Sequence, residues 1–155
     1  MYGESAYLFK ELSDETRKKI QGIEHEVTYG PGDFLFRENE AALNFYILNK
    51  GRIRLSVGRK PLLAHVAGSV GDIIGWSSLV GNATYTASAE CLASTKVLQI
   101  EKQQLDKVLA KDPVSGMNFF KHLAALVGRR LVRSYRTTTS ARQGEREPLT
   151  GEQPR

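Results

Sequence analysis

Between Val27 and Ile100 the chain breaks into brief apolar runs separated by Gly, Pro and Asn, a spacing that suits many short strands and little else. The runs are Phe34 to Phe36, Phe45 to Leu48, Ile53 to Val57, Leu62 to Val66, Thr84 to Glu90 and Lys96 to Ile100. Tyr29-Gly30-Pro31-Gly32-Asp33 reads as a turn, because Pro31 fixes one torsion and Gly32 supplies the positive φ of a type II turn. Asn49-Lys50-Gly51 reads as a hairpin loop. The pattern predicts an all-β sandwich or barrel. On either side of it the period is helical. Ser13 is an N-cap ahead of Asp14 and Glu15, and an amphipathic segment follows to about Ile23. After Ile100 come Leu105, Val108 and Leu109, then Asp112-Pro113, a start signal for a longer helix reaching about Arg136. Residues 137–155 are polar with one lone Leu149, so a disordered tail is expected.

A chain of 155 residues with 41% hydrophobic side chains is the size of one domain, here 1–136, with a β-roll over about 25–100 and C-terminal helices over about 101–136. It has neither a long apolar run nor a basic-then-apolar leader, so no membrane span or secretory signal is predicted, and the cytoplasm is the expected compartment. The single cysteine, Cys91, excludes an internal disulfide and reads as a core thiol. Residues 1–112 carry as many acidic as basic groups, and the net charge of +5 comes from further on. Lys121, Arg129, Arg130, Arg133, Arg136 and Arg142 meet no Asp or Glu between residues 113 and 144. They are either a solvated helix end that offsets the macrodipole or a contact surface for nucleic acid.

Pro31-Gly32-Asp33-Phe34-Leu35-Phe36 is followed by Glu38-Asn39-Glu40, Asn44-Phe45-Tyr46-Ile47-Leu48 and Gly51-Arg52-Ile53-Arg54-Leu55. Further on, Gly71-Asp72-Ile73-Ile74-Gly75 and Thr86-Ala87-Ser88-Ala89 bracket a short polar segment. With an opening helix, about eight strands and two closing helices, this resembles the cyclic nucleotide-binding domain of the catabolite activator family, ion channels and kinase regulatory subunits. The match runs roughly from residue 8 to 136. It implies a mainly β fold with flanking helices: a double-stranded β-helix, jelly-roll and cupin-like, with a one-turn helix in its phosphate-binding cassette.

The resemblance implies a site at Ile74, Gly75, Trp76, Ser77, Ser78, Leu79, Asn82, Thr84, Tyr85, Thr86 and Ala87. In that family the cyclic phosphate rests on backbone N–H groups at the N-terminus of the cassette helix and on an Arg, while a Glu takes the ribose hydroxyl. Gly75 to Leu79 retain the backbone half. Here Trp76 stands at the Glu position and Tyr85, or Thr84 in a shifted register, at the Arg position. Trp76 either fills the vacated space as core, forms a wall for another ligand, or accompanies cyclic nucleotide binding in altered geometry. Arg59 or Lys60, on the adjacent hairpin, would be the replacement cations.

No metal site or catalytic set is spelled out: His25, His65 and His122 are isolated on different elements, and His65 reads as a structural strand histidine. The expectation is therefore a non-catalytic module without a cofactor, binding cAMP, cGMP or another small molecule. No DNA-reading helix-turn-helix domain is expected in the polar residues after Arg136. Phe120, Ala124, Val127, Leu131 and Ser134 repeat at heptad-like spacing on the last helix, and Phe119, Leu123 and Leu126 give it a second apolar face. The resemblance assigns the first seam to a homodimer and the helix to signalling toward a downstream protein. Two other readings stay open: a structural dimerisation or docking module with a filled pocket, and nucleic-acid contact through the basic helix.

Overall fold

The computed structural model describes residues 3–58 and 65–150, with side-chain surroundings as far as Arg136. Arg59, Lys60 and the first part of the expected Leu62–Val66 strand lie outside the described residues. The elements in chain order are α1 (Gly3–Leu8), α2 (Asp14–Ile23), β1 (Glu24–Tyr29), β2 (Phe34–Phe36), β3 (Asn44–Lys50), β4 (Ile53–Ser56), β5 (His65–Ala67), β6 (Ile73–Ile74), a 3-10 turn (Trp76–Leu79), β7 (Ser88–Cys91), β8 (Thr95–Glu101), α3 (Lys102–Ala110) and α4 (Pro113–Thr150). The strands form two antiparallel sheets, ordered β1-β8-β3-β6 and β2-β7-β4-β5. Among the described residues no helix is long and apolar enough to cross a membrane.

The unbroken run Phe45-Tyr46-Ile47-Leu48 has a simple cause. Side chains on a strand alternate between faces, and β3 is covered on both. Phe45 and Ile47 join Ile73 of β6, Ile100 of β8, the helical residues Leu8, Ile20, Leu105, Phe119, Leu123 and Leu126, and Phe9 from the turn after α1 in one core. Tyr46 and Leu48 point the other way, into a second core between the sheets with Phe36, Ile53, Ile74, Ala89, Cys91 and Val97. Burial pushes the Cys91 thiol up, as befits a core residue.

The caps are where the sequence places them. Ser13 Oγ accepts from the Thr16 N–H at 3.2 Å. Asp112 Oδ1 accepts from the Ser115 N–H at 3.2 Å, while its Oδ2 takes the hydroxyls of Ser13 and Thr16, each at 2.7 Å, and of Ser115 at 2.6 Å. One carboxylate thus joins the first turns of α2 and α4. Gly32 and Gly51 both have positive φ, as their turns require.

Three boundaries differ from expectation. α1 precedes the predicted opening helix. The strand expected from Thr84 begins at Ser88, because Ala83 to Tyr85 pair instead with the loop at residues 39–42: Tyr85 N–H to Glu40 O and Ala42 N–H to Ala83 O are both 2.9 Å. α4 runs past Arg136 to Thr150, where a disordered tail was expected from residue 137. Extending an existing helix needs no new nucleus, and Ala141, Arg142, Gln143, Glu145 and Arg146 are good helix formers, although Thr137 to Thr139, Gly144 and Pro148 are poor ones. Lack of apolar surface removes a reason to pack rather than the capacity to stay helical.

Candidate functional site

The site is built on the edge strand β6 and the turn that follows it. Gly75 caps the 3-10 turn in the left-handed region, with φ 82°. A Cβ there would meet Asn44 O and Phe36 Cε2, each at 3.2 Å, so only glycine fits without displacement. The Ser78 N–H donates to Gly75 O at 3.2 Å and the Ser78 hydroxyl to the same oxygen at 2.9 Å. Gly81, again at positive φ, ends the segment. Ser77 Oγ lies 3.3 Å from Thr86 Oγ1, so the entry and exit of the cassette face each other hydroxyl to hydroxyl. Thr86 is exposed and Ala87 half-buried.

The remaining expected site residues divide differently. Tyr85 is 3% exposed and belongs to the core between the sheets, which corrects its placement as a ligand contact. Its ring stacks on Phe36 with centroids 3.7 Å apart, and its hydroxyl donates to Asn44 O at 2.6 Å while accepting the Asn44 N–H at 3.1 Å. Burial raises its phenol, so the position that would carry a cation in the resembled family holds a neutral, fully engaged group. Ile74 and Leu79 are core residues as well. Ser78 is buried and turned back on its own turn. Thr84 is exposed and bridges Ala41. Asn82 lines a different, open groove with Leu43, Asn44, Glu101 and Lys102. What stays together is Gly75, Ser77, Thr86 and Ala87.

Trp76 packs against the core on the helical side of the sheet, not between the sheets. It shares a crevice of about 10 Å³ with Glu4, Ile73, Leu123, Leu126, Val127 and Arg130, so its indole is wedged between the cassette and α4. The indole is thus packed, but against the helix rather than into the space between the sheets.

Glu4, which the sequence did not single out, and Arg130, read there only as part of a basic helix end, meet at this junction. Arg130 Nη2 donates to Glu4 Oε1 at 2.5 Å and Nε to Oε2 at 3.3 Å, and Nη2 also reaches Ile73 O at 2.5 Å. The Ile73 N–H donates to Glu4 Oε1 at 3.0 Å. Burial acts to raise the Glu4 carboxyl, yet the Arg130 guanidinium holds it below its ordinary value. Glu4 and Arg130 are 126 residues apart, and no local pattern links them.

The other basic residues of α4 are not all turned to solvent. Arg129 lies over the Tyr7 ring at 4.5 Å, with Lys10 over the same ring at 4.4 Å. His122 is buried, with Nε2 3.4 Å from Glu11 Oε2 and Nδ1 3.4 Å from Leu8 O. His65, by contrast, stands exposed at the start of β5, which corrects its reading as a structural histidine. Partial burial and then the Arg130 and Arg133 charges lower its proton affinity. Among the described residues no group of three or more His, Cys, Asp or Glu is placed to hold a metal.

A family model of the cyclic nucleotide-binding domain matches residues 26–112. The cGMP-dependent protein kinase isozyme 2 of Drosophila melanogaster is 26% identical over 124 residues, which cover 76% of this chain and 13% of the kinase. The cAMP-dependent protein kinase regulatory subunit of Hypocrea atroviridis is 25% identical over 114 residues, 74% of this chain and 24% of that protein. The chain therefore spans under a quarter of the length of these relatives. A solved structure from Geobacter metallireducens, described as a cyclic nucleotide-binding protein, superposes with a TM-score of 0.70 at 29% identity, covering 80% of this chain and 91% of its own.

Proposed function

The chain belongs to the cyclic nucleotide-binding domain family, and from that premise we propose that it is a non-catalytic sensory module whose cassette binds a cyclic nucleotide weakly and reports occupancy through α4. The observation that carries this reading is the combination at Gly75 to Ala87. The backbone turn and the facing Ser77 and Thr86 hydroxyls are in place, while the positions of the Glu and Arg hold Trp76 and a buried Tyr85. Each charge-assisted hydrogen bond contributes about 1.5 to 3 kcal/mol, so losing two costs on the order of 3 to 6 kcal/mol. At 1.4 kcal/mol per decade the site is weakened about a hundredfold or more. The route to α4 is the Trp76 indole against Leu123, Leu126 and Val127: a ligand that favours one position of the cassette favours one position of the helix.

The test is calorimetric titration of cAMP and cGMP, up to millimolar, against the wild-type chain and Thr86→Arg. Thr86 is exposed beside Ser77, so an arginine there adds the missing cation without entering the core. The expected result is weak binding by the wild type and binding at least tenfold tighter by the variant. If neither binds while both remain folded, the module serves docking alone.

The outer seam of α4 supports a second copy as partner. Phe120 is 39% and Leu131 50% exposed, and Ala124 is exposed between them, whereas Val127 is drawn half into the core of its own chain. Phe119, Leu123 and Leu126 occupy the inner face, so Phe120, Ala124 and Leu131 are the residues that a second copy would cover.

A further inference from the structure

Ile73 ends two residues before Gly75, and both of its backbone polar groups are held by side chains from outside the sheet. β6 is only two residues long and pairs with β3 on one side, through Tyr46 with Ile74 and Ile47 with Ile73. Its other edge would present unpaired groups to water. Instead Glu4 takes the N–H and Arg130 the C=O, and the two side chains pair with each other. They are 16% and 17% exposed, so solvent screens them little. Next to them Ser5 N–H donates to Gly71 O at 2.9 Å, which fastens α1 along the same edge. Arg130 is one turn beyond Leu126 and Val127, the residues that grip Trp76.

We propose that Glu4 and Arg130 are positioning residues that form a latch: α1 and α4 hold each other and the entry strand of the cassette through one shared peptide, and α4 leaves the cassette only when Arg130 releases both Glu4 and Ile73. The proposal rests on the reading of α4 as the reporting helix, but its chemistry is separate. Packing of Trp76 is apolar and non-directional and tolerates small rotations of α4. The bidentate guanidinium and its third bond to a carbonyl do not, because each depends on angle as well as distance. The latch therefore gives the helix a defined seat, and it makes the N-terminal helix part of the moving assembly.

Hydrogen exchange of the unliganded full chain, followed residue by residue, tests this in wild type, Glu4→Ala, Arg130→Gln and the double variant. Each single variant is expected to speed exchange of the Ile73 amide and of α4 amides beyond Leu126 about tenfold or more, with β3 and β8 amides unchanged. The double variant is expected to match the singles, because the pair works as a unit. Glu4→Ala, on the short first helix, carries the test if Arg130→Gln does not fold. Unchanged exchange, an increase spread equally into β3 and β8, or independent effects that multiply in the double variant would overturn the latch. Since no ligand is present, a negative result here leaves the calorimetric question standing, and the reverse also holds.

Discussion

At the scale of single residues, the cassette shows how two aromatic residues, Trp76 and Tyr85, take opposite directions. Tyr85 turns inward because Asn39 and Glu40 pair with its backbone, which aims its ring at Phe36 and its hydroxyl at Asn44. Removing that hydroxyl leaves the Asn44 N–H and C=O each without a partner they hold now. Tyr85→Phe is therefore expected to lower unfolding stability by about 1 to 3 kcal/mol, read from the denaturation midpoint in urea; no measurable loss would show that water replaces the hydroxyl. Trp76 turns outward, onto α4. Neither direction was legible in the sequence, since the segment around Tyr85 lies outside regular strand and the period-2 rule has no purchase there. Gly75 came from the family resemblance alone, and its φ of 82° gives the physical reason for glycine at that turn.

At the scale of elements, the strands and caps were readable because they are local. Ser13 and Asp112-Pro113 announce their helices through bonds made within three residues. α1 gave no such sign: six residues contain too few turns to show a period, and its stability comes from Leu8 in a core assembled by distant segments. The Glu4 to Arg130 contact was hidden for the same reason. α4 was readable in its inner face, Phe119, Leu123 and Leu126, and not in its extent. Its outer seam gives a prediction at this scale: Leu131→Asp is expected to shift the chain from dimer to monomer in sedimentation equilibrium and to raise the dissociation constant at least tenfold, about 1.4 kcal/mol. Leu131 makes no core contact to lose, so the monomer's own stability should move within about 0.5 kcal/mol. A wild type that is monomeric at every concentration would remove the interface.

At the scale of the whole molecule, acid sensitivity should concentrate where helices meet. The Ser115, Thr16 and Ser13 hydroxyls hold the Asp112 carboxyl well below the usual carboxylate range. A carboxyl that binds its proton less readily when folded than when unfolded stabilises the fold above its unfolded value, ~4, and that contribution is lost as pH falls through the folded value. Urea midpoints between pH 7 and pH 3 should therefore fall more steeply in wild type than in Asp112→Asn, which keeps an N-cap but replaces the anion. Parallel curves would place the acid sensitivity elsewhere. The same carboxylate has a mechanical consequence. With α2 and α4 both pinned at Asp112, α4 is a lever with its fulcrum at Pro113. At a rise of about 1.5 Å per residue, a tilt of about 10° at that fulcrum sweeps Arg136 through about 6 Å. A small adjustment under Trp76, near the middle of the arm, is geometrically magnified at its far end.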